Sequence, residues 1–259
     1  MRVTVNPKYK DNAELMALVH RLPEAFSRNE GELLYDKRNQ VRRFTLSDGS
    51  KLMVKQFHKP NIIQCLCYST FWTNKAEKSF RFGLRLLQMD IDTPEPIASV
   101  VYKHFGLVKC YYFVSTEDLG ADCKEVLKPE ESTSLAEQTP MIDALAGFLA
   151  EIHERGFMHG DANLSNFRIH QTETGYHFAV IDTNRSKFLS QAASYKQRIQ
   201  NLSRISHERC LIEAIAQAYA RQCGYAPPQT YQDILSAIER FEQHKARMGK
   251  LKKIFRLRH

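Results

Sequence analysis

The octapeptide His159-Gly160-Asp161-Ala162-Asn163-Leu164-Ser165-Asn166 stands where the chain changes its hydrophobic rhythm, and it limits the fold more than any other feature. Ahead of it, Ile142, Leu145, Phe148, Leu149 and Ile152 recur at helical spacing, and Gly156 sits where a helix closes on a left-handed residue. Behind it, residues 167–170 and 177–181 read as short strands separated by a turn at Thr174-Gly175. This order places Asp161 and Asn166 on a polar loop, and Asp182 at the end of an apolar strand sixteen residues after Asn166.

The N-terminal part has a different character. Residues 31–57 read as a β-hairpin: Val41, Phe44 and Leu46 lead into a turn at Ser47-Asp48-Gly49-Ser50, and the strand-like run 52–57 carries Lys55. Between Thr73 and Met89, Ala76, Phe80, Leu84 and Leu87 have helical spacing, and Pro94 and Pro96 end that element. Residues 97–101 and 107–114 read as two more strands around a turn at His104-Phe105-Gly106. From Ser190 onward the pattern is helical, interrupted at Gly224 and Pro227-Pro228. Strands with one helix, followed mainly by helices, predict an α+β protein of two lobes. The expected division is 1–117 and 118–259, with Gly120 punctuating the end of the last N-terminal strand.

Charge and cysteine usage exclude several classes. The net charge is +8, but Lys245, Arg247, Lys250, Lys252, Lys253, Arg256 and Arg258 hold seven of those charges with no acid among them, which leaves +1 for the rest. A near-neutral domain with a basic tail is not built like a nucleic-acid binder that is basic over a whole face, and no nucleic-acid partner is expected. None of the six cysteines (Cys65, Cys67, Cys110, Cys123, Cys210, Cys223) falls in a paired zinc-type pattern. The first ten residues carry no signal-like apolar run, and no segment reaches the roughly 18 apolar residues of a spanning helix. Cytoplasmic residence is the expectation.

Asp161, Asn166 and Asp182 are the residue types that phosphoryl transfer needs: a carboxylate to orient the attacking hydroxyl, and oxygen ligands that hold Mg2+ against phosphates. Asp161, Asn163 and Asn166 taken alone would also serve as turn residues after a helix. The added Asp182 at the end of a buried strand favours chemistry. Lys55, among Met53, Val54 and Phe57, is expected to project into a cleft and to require an anionic partner. Between Gln56 and Met89 the only acid is Glu77, on the predicted helix. A strand lysine paired with a helix glutamate and contacting nucleotide phosphates is one reading; two ordinary surface charges, with Glu77 bonded to Arg81, is the other.

On these stretches, with residues 92–96, 113–117 and 181–185, the chain resembles the bacterial lipopolysaccharide core (Kdo and heptose) kinases of the protein-kinase-like superfamily over about residues 31–190. The resemblance implies a bilobal protein-kinase-like fold and ATP-dependent phosphorylation of a sugar hydroxyl of the lipopolysaccharide inner core, with ATP and Mg2+ as cofactors. It implies Lys55 for the α- and β-phosphates, Glu77 as its tether, Asp161 as catalytic base, and Asn166 and Asp182 as magnesium ligands. The interlobe segment Glu117-Asp118-Leu119 would offer backbone groups to adenine. Two departures stand out: no glycine lies between Gly31 and Gly49, so the neighbourhood of Arg38-Asn39-Gln40-Val41 must cover phosphates in another way, and Asp182 is followed by Thr183-Asn184 where protein kinases have Phe-Gly. Both favour a sugar acceptor over a protein. The competing readings are an aminoglycoside- or choline-type kinase and a nucleotide-binding pseudokinase.

In the tail, Ile238, Phe241, Met248, Leu251, Ile254 and Phe255 form an apolar stripe beside the basic residues. A basic amphipathic helix suits the anionic inner face of the cytoplasmic membrane, where a glycolipid acceptor would sit. The same stripe also suits packing on the second lobe.

Overall fold

The computed structural model describes residues 1–58, 68, 73–128 and 137–256, with side chains as far as residue 248. Two compact units are present: Met1–Leu119 with Ala179–Arg185, and Gly120–Phe178 with the chain from Ser186 onward.

In the first unit the chain runs β1 (Arg2–Val5), α1 (Ala13–Ser27), β2 (Glu32–Asp36), β3 (Gln40–Thr45), β4 (Lys51–Gln56), α2 (Lys75–Gln88), β5 (Pro96–His104) and β6 (Leu107–Thr116). The strands form one six-stranded sheet in the order β1-β5-β6-β4-β3-β2 with antiparallel pairing throughout. The expected hairpins over 31–57 and 97–115 are present. The strand β1 and helix α1 were not anticipated, although Leu15, Leu18, Val19 and Leu22 carry a helical stripe. That stripe packs on Phe44, Val54, Val100, Tyr112 and Val114. Side chains alternate along a strand. Val54 therefore lies in the α1-side core, whereas Lys55 and Phe57 face the other way, where Phe57 packs with Ala76 of α2, Val101 and Tyr111.

The second unit contains β7 (Ala121–Asp122), α3 (Cys123–Val126), α4 (Thr139–Glu154), β8 (Phe157–Met158), β9 (Phe167–Thr172), β10 (Gly175–Val180, whose last two residues belong to the first unit), β11 (Lys187–Phe188), α5 (Tyr195–Leu202), α6 (Arg209–Cys223) and α7 (Pro227–Arg256). Leu145, Leu149, Ile152, Ile215 and Tyr219 are buried where α4 meets α6. Helix α4 ends at Gly156, whose φ is +76°; a Cβ there would stand 2.8 Å from the Gln191 carbonyl oxygen, so only glycine fits. Pro227 opens α7 at a position that tolerates proline and does not interrupt it. A break at residues 203–208, absent from the sequence reading, separates α5 from α6.

A single cut after residue 117 does not describe these units. Residues 179–185 pack with the first one, because the Val180 N–H donates to the Asp92 carbonyl at 2.8 Å and the Thr93 hydroxyl donates to the Val180 carbonyl at 2.7 Å. Cys110, Cys123, Cys210 and Cys223 are free thiols, and burial pushes the Cys123 thiol up to about 12; Cys65 and Cys67 lie outside the described residues. No helix among the described residues is long and apolar enough to cross a membrane.

Candidate active site

In the second unit, β8 delivers the chain into the polar loop. His159 is buried against the rings of Phe157 and Phe167, and its Nδ1 accepts the Asp161 N–H at 3.1 Å. The imidazole therefore shapes the backbone at Asp161. Asn163 starts a 3-10 turn over Leu164–Asn166, its Oδ1 accepting the Ser165 N–H at 3.1 Å. Asn166 closes the loop on itself: its Nδ2 donates to the Asp161 carbonyl at 2.8 Å. With the amide nitrogen used internally, the Asn166 Oδ1 is the atom that remains for a ligand. Asp161 is half-buried.

This loop is clamped from below. Asn201 Nδ2 donates to the His159 carbonyl at 2.7 Å, Arg204 Nη1 donates to the Gly160 carbonyl at 2.8 Å, and the Leu164 N–H donates to the Ile205 carbonyl at 3.0 Å. Because Asn201 donates through its nitrogen, its Oδ1 accepts the His153 Nε2–H at 3.0 Å, and His153 Nδ1 accepts from the Tyr219 hydroxyl at 2.8 Å. Burial is the main cause that drives the His153 imidazole down to about 4, against the opposing pull of its bond to Asn201. The ring is neutral near pH 7, which this donor–acceptor chain requires. None of His153, Asn201 and Arg204 was singled out from sequence. The one available signal was a histidine on the apolar face of α4, four residues after Leu149.

The other half of the candidate chemistry lies in the first unit. Lys55 Nζ meets Asp182 Oδ1 at 2.9 Å and lies 5.2 Å from the centroid of the Phe57 ring. Asn184 Nδ2 donates to the same carboxylate oxygen. Asp182 has a φ of +54°, a left-handed conformation that costs a side-chain-bearing residue roughly 1–2 kcal/mol. Strain of this kind collects where a side chain must be aimed. Helix α2 packs on the 3-10 turn Thr183–Arg185 that follows. Lys75, the first residue of α2, has its ammonium held below the usual lysine range, first by burial and then by repulsion from Arg38, Arg185 and Lys55, with Asp182 opposing. Four cations thus share the surroundings of one carboxylate. Among the described residues Lys75 and Arg38 make no ion pair.

The expected pair between Lys55 and Glu77 does not form. Glu77 occupies the third position of α2 and curls back in a capping box: its Oε2 accepts the Asn74 N–H at 3.2 Å while Asn74 Oδ1 accepts the Glu77 N–H at 3.1 Å. Its other oxygen pairs with Arg2 of β1. With one oxygen on its own helix start and the other on Arg2, the Glu77 carboxylate is engaged elsewhere, and Lys55 pairs with Asp182. At the end of β6, the Glu117 carboxylate is buried on Arg43, which donates Nε at 2.8 Å, and one of its oxygens, Oε2, is buried without a hydrogen-bond partner. The Glu117 N–H is used on the Lys51 carbonyl at 3.1 Å. Leu119 is 80% exposed. Of this segment, the Glu117 N–H is therefore already committed.

The model of the lipopolysaccharide kinase (Kdo/WaaP) family matches residues 29–225. A search of curated protein sequences finds no match. Among solved structures, the chain is similar to WaaP in complex with acyl carrier protein, with a TM-score of 0.60 and 16% identity over 94% of this chain and 99% of that one. At that identity the likeness speaks for the fold, and it agrees with a mixed α/β kinase fold of antiparallel N-terminal sheet and helical C-terminal region. The family match covers the loop of Asp161, the strand of Lys55 and the turn of Asp182 together, and the chain belongs to the lipopolysaccharide kinase (Kdo/WaaP) family.

Proposed function

We propose that this phosphotransferase moves the γ-phosphoryl group of ATP to a sugar hydroxyl of the lipopolysaccharide inner core, on Kdo or heptose. The observation that carries this reading is the loop of Asp161: its backbone is held by His159, Asn166, Asn201 and Arg204, so that a half-buried aspartate is presented on a rigid support. In the transfer, the acceptor oxygen forms a bond to the γ-phosphorus as the bond to the β,γ-bridging oxygen breaks; ADP leaves, and the hydroxyl proton passes to Asp161. Lys55 is suited to the α- and β-phosphates: its side chain is mostly buried, and among the described residues its ion pair is with Asp182. Backbone groups of residues 117–119 other than the committed Glu117 N–H are assigned to adenine.

The donor set fits Mg2+, which prefers oxygen ligands and retains water. The Asn166 Oδ1, freed by the use of its nitrogen, and the Asp182 carboxylate, aimed by a left-handed backbone, are the residues that would hold it. When bound, the ion neutralises charge on the phosphates. The N-terminal half of α7 is packed through Thr230, Ile234 and Ala237, whereas every residue from 241 to 248 is exposed, Phe241 and Met248 included. That exposed basic and apolar segment supports peripheral contact with an anionic membrane; Leu251, Ile254 and Phe255 of the stripe lie outside the described side chains. Deleting 245–259 should abolish sedimentation with anionic vesicles, and retained sedimentation would remove the tail from this role.

The central test is Asp161→Asn, assayed with labelled ATP and purified core glycolipid. Turnover should fall about 10³-fold, within the span typical of a lost general base, while nucleotide affinity is retained. Unchanged turnover would take Asp161 out of its assigned role.

A further inference from the structure

Strands β5 and β6 outrun their neighbours in the first unit's sheet. Pairing with β1 reaches only Val101, opposite Arg2, and pairing with β4 reaches only Tyr112, opposite Gln56. Among the described residues the turn of this hairpin is therefore flanked by no other strand. Val108 is buried with Phe57 and Tyr111 and fixes the base of the projection. Beyond it His104, Phe105, Gly106 and Leu107 are all exposed, Phe105 to 92%. A Cβ on Gly106 would meet nothing within 4 Å outside its chain neighbours, so no other part of the described chain covers the turn. Met1 leaves the sheet at this same end, by the register of β1 on β5, and adds another exposed apolar side chain.

Folding alone does not account for a phenylalanine at this place. Phe105 and Gly106 have φ of +47° and +79°, the signs required at the two central positions of a type I′ hairpin turn. Asn or Asp followed by Gly suits such a turn, and a large side chain in the left-handed conformation is strained. The Phe105 ring leans on His104, with 4.3 Å between centroids, and buries little by doing so. The chain thus carries backbone strain for an aromatic ring that stays in water. The charge around it is one-sided as well. From Pro96 to Thr116 there is no aspartate or glutamate, while Lys103, His104 and Lys109 flank the tip.

We propose that this hairpin tip is a membrane-insertion point: Phe105, with Leu107, enters the headgroup region of an anionic bilayer while Lys103 and Lys109 meet the lipid phosphates. A projecting apolar tip suits a fluid interface, which needs no complementary pocket. A protein partner fits less well, because four residues fall far short of the about 800 Å² per side that a stable protein interface buries. Basic residues beside exposed apolar ones suit the bilayer interface, and lysines are drawn to an anionic surface. The inference goes beyond the contact assigned to the tail and needs neither nucleotide nor acceptor, so it stands or falls apart from the kinase reading. One ring and two lysines bind weakly by themselves, so loss of the tail is still expected to release the chain from vesicles.

The experiment is flotation of the full chain with vesicles of roughly equal parts phosphatidylglycerol and phosphatidylcholine, beside vesicles of phosphatidylcholine alone. Wild type is compared with Phe105→Asn and Phe105→Trp, and the thermal midpoint and oligomeric state of each are measured. Asparagine suits the left-handed turn position, so Phe105→Asn should keep or raise the thermal midpoint. Its affinity for the anionic vesicles should nevertheless fall about tenfold or more, the effect of removing one buried phenyl ring from an apolar phase. Phe105→Trp should bind at least as tightly as wild type, since tryptophan favours the membrane interface. A variant that folds as well and binds less separates a membrane role from a structural one. Equal vesicle affinity of Phe105→Asn and wild type, a Phe105→Trp variant that loses as much as Phe105→Asn, equal affinity for the two vesicle types, or no vesicle binding by wild type overturns the proposal. A change of oligomeric state in Phe105→Asn with unchanged vesicle affinity also overturns it and assigns the tip to a second copy of the chain.

Discussion

Asp161 and Asp182 are the two carboxylates that the proposed phosphoryl transfer would use, and the protein holds them by opposite means. Around Asp161 the support is neutral: amide, imidazole and hydroxyl groups of Asn166, Asn201, His153 and Tyr219, with Arg204 spending its charge on a backbone carbonyl. Around Asp182 the support is ionic, with Lys55 in contact and Lys75, Arg38 and Arg185 close enough to repel one another. Neutral bonds to buried carbonyls are short-ranged and indifferent to salt, so they suit a loop that must keep one shape. A cationic cluster with one carboxylate is unbalanced on its own and is relieved by an incoming polyphosphate. In the proposed function one region stays still and the other binds.

The largest expected effect that would break this contrast is on the neutral side. Asn201→Ala removes the amide that bonds the His159 carbonyl and the buried His153 N–H, at about 1–3 kcal/mol each, so urea denaturation should show a loss of about 2–6 kcal/mol. A loss below about 1 kcal/mol would mean that the clamp does not hold the loop.

Next is pH. The folded state keeps His153 unprotonated down to about 4, whereas the unfolded chain takes up the proton near 6.5. Between those values the unfolded state binds more protons, so stability is complete above pH 6.5 and declines as pH falls toward 4, by on the order of 3 kcal/mol. Comparing the slope of unfolding free energy against pH for wild type and His153→Gln isolates this contribution. An unaltered slope in the variant assigns the loss to other groups.

The smallest effect sharpens the ionic side. Lys75→Met removes a cation crowded by cations, so the ligand-free protein should gain stability by less than about 1 kcal/mol, while ATP affinity falls about fivefold and becomes less sensitive to salt. Opposite signs in the two measurements are the signature of a group kept for a ligand. Unchanged ATP affinity would return Lys75 to the role of an ordinary surface charge.

Much of this is legible in the chain itself. The hairpin turn at Ser47–Ser50, the strand of Lys55, the helix ending at Gly156 and the loop of Asp161 all depend on neighbours within a few residues, through alternation, helical spacing and turn chemistry. Helix α1 carries an equally local signal in the stripe of Leu15, Leu18, Val19 and Leu22. The partner of Lys55 was not readable. Glu77 was the only nearby acid in the linear order, yet its place at the third position of α2 turned it inward to cap its own helix, and Asp182 arrived from more than a hundred residues away.

The sequence by itself determined the α+β order, the chemical groups on the polar loop and the resemblance to the lipopolysaccharide kinases, because periodicity and motif spacing are local properties of a chain. Only the tertiary structure decided that residues 179–185 pack with the sheet unit, that Asp182 is the carboxylate beside Lys55, that a buried neutral histidine braces the Asp161 loop, and that Arg204 bonds the Gly160 carbonyl. Ion pairing, desolvation and buried hydrogen bonding act between groups that meet through space, and the order of residues along the chain does not specify those meetings.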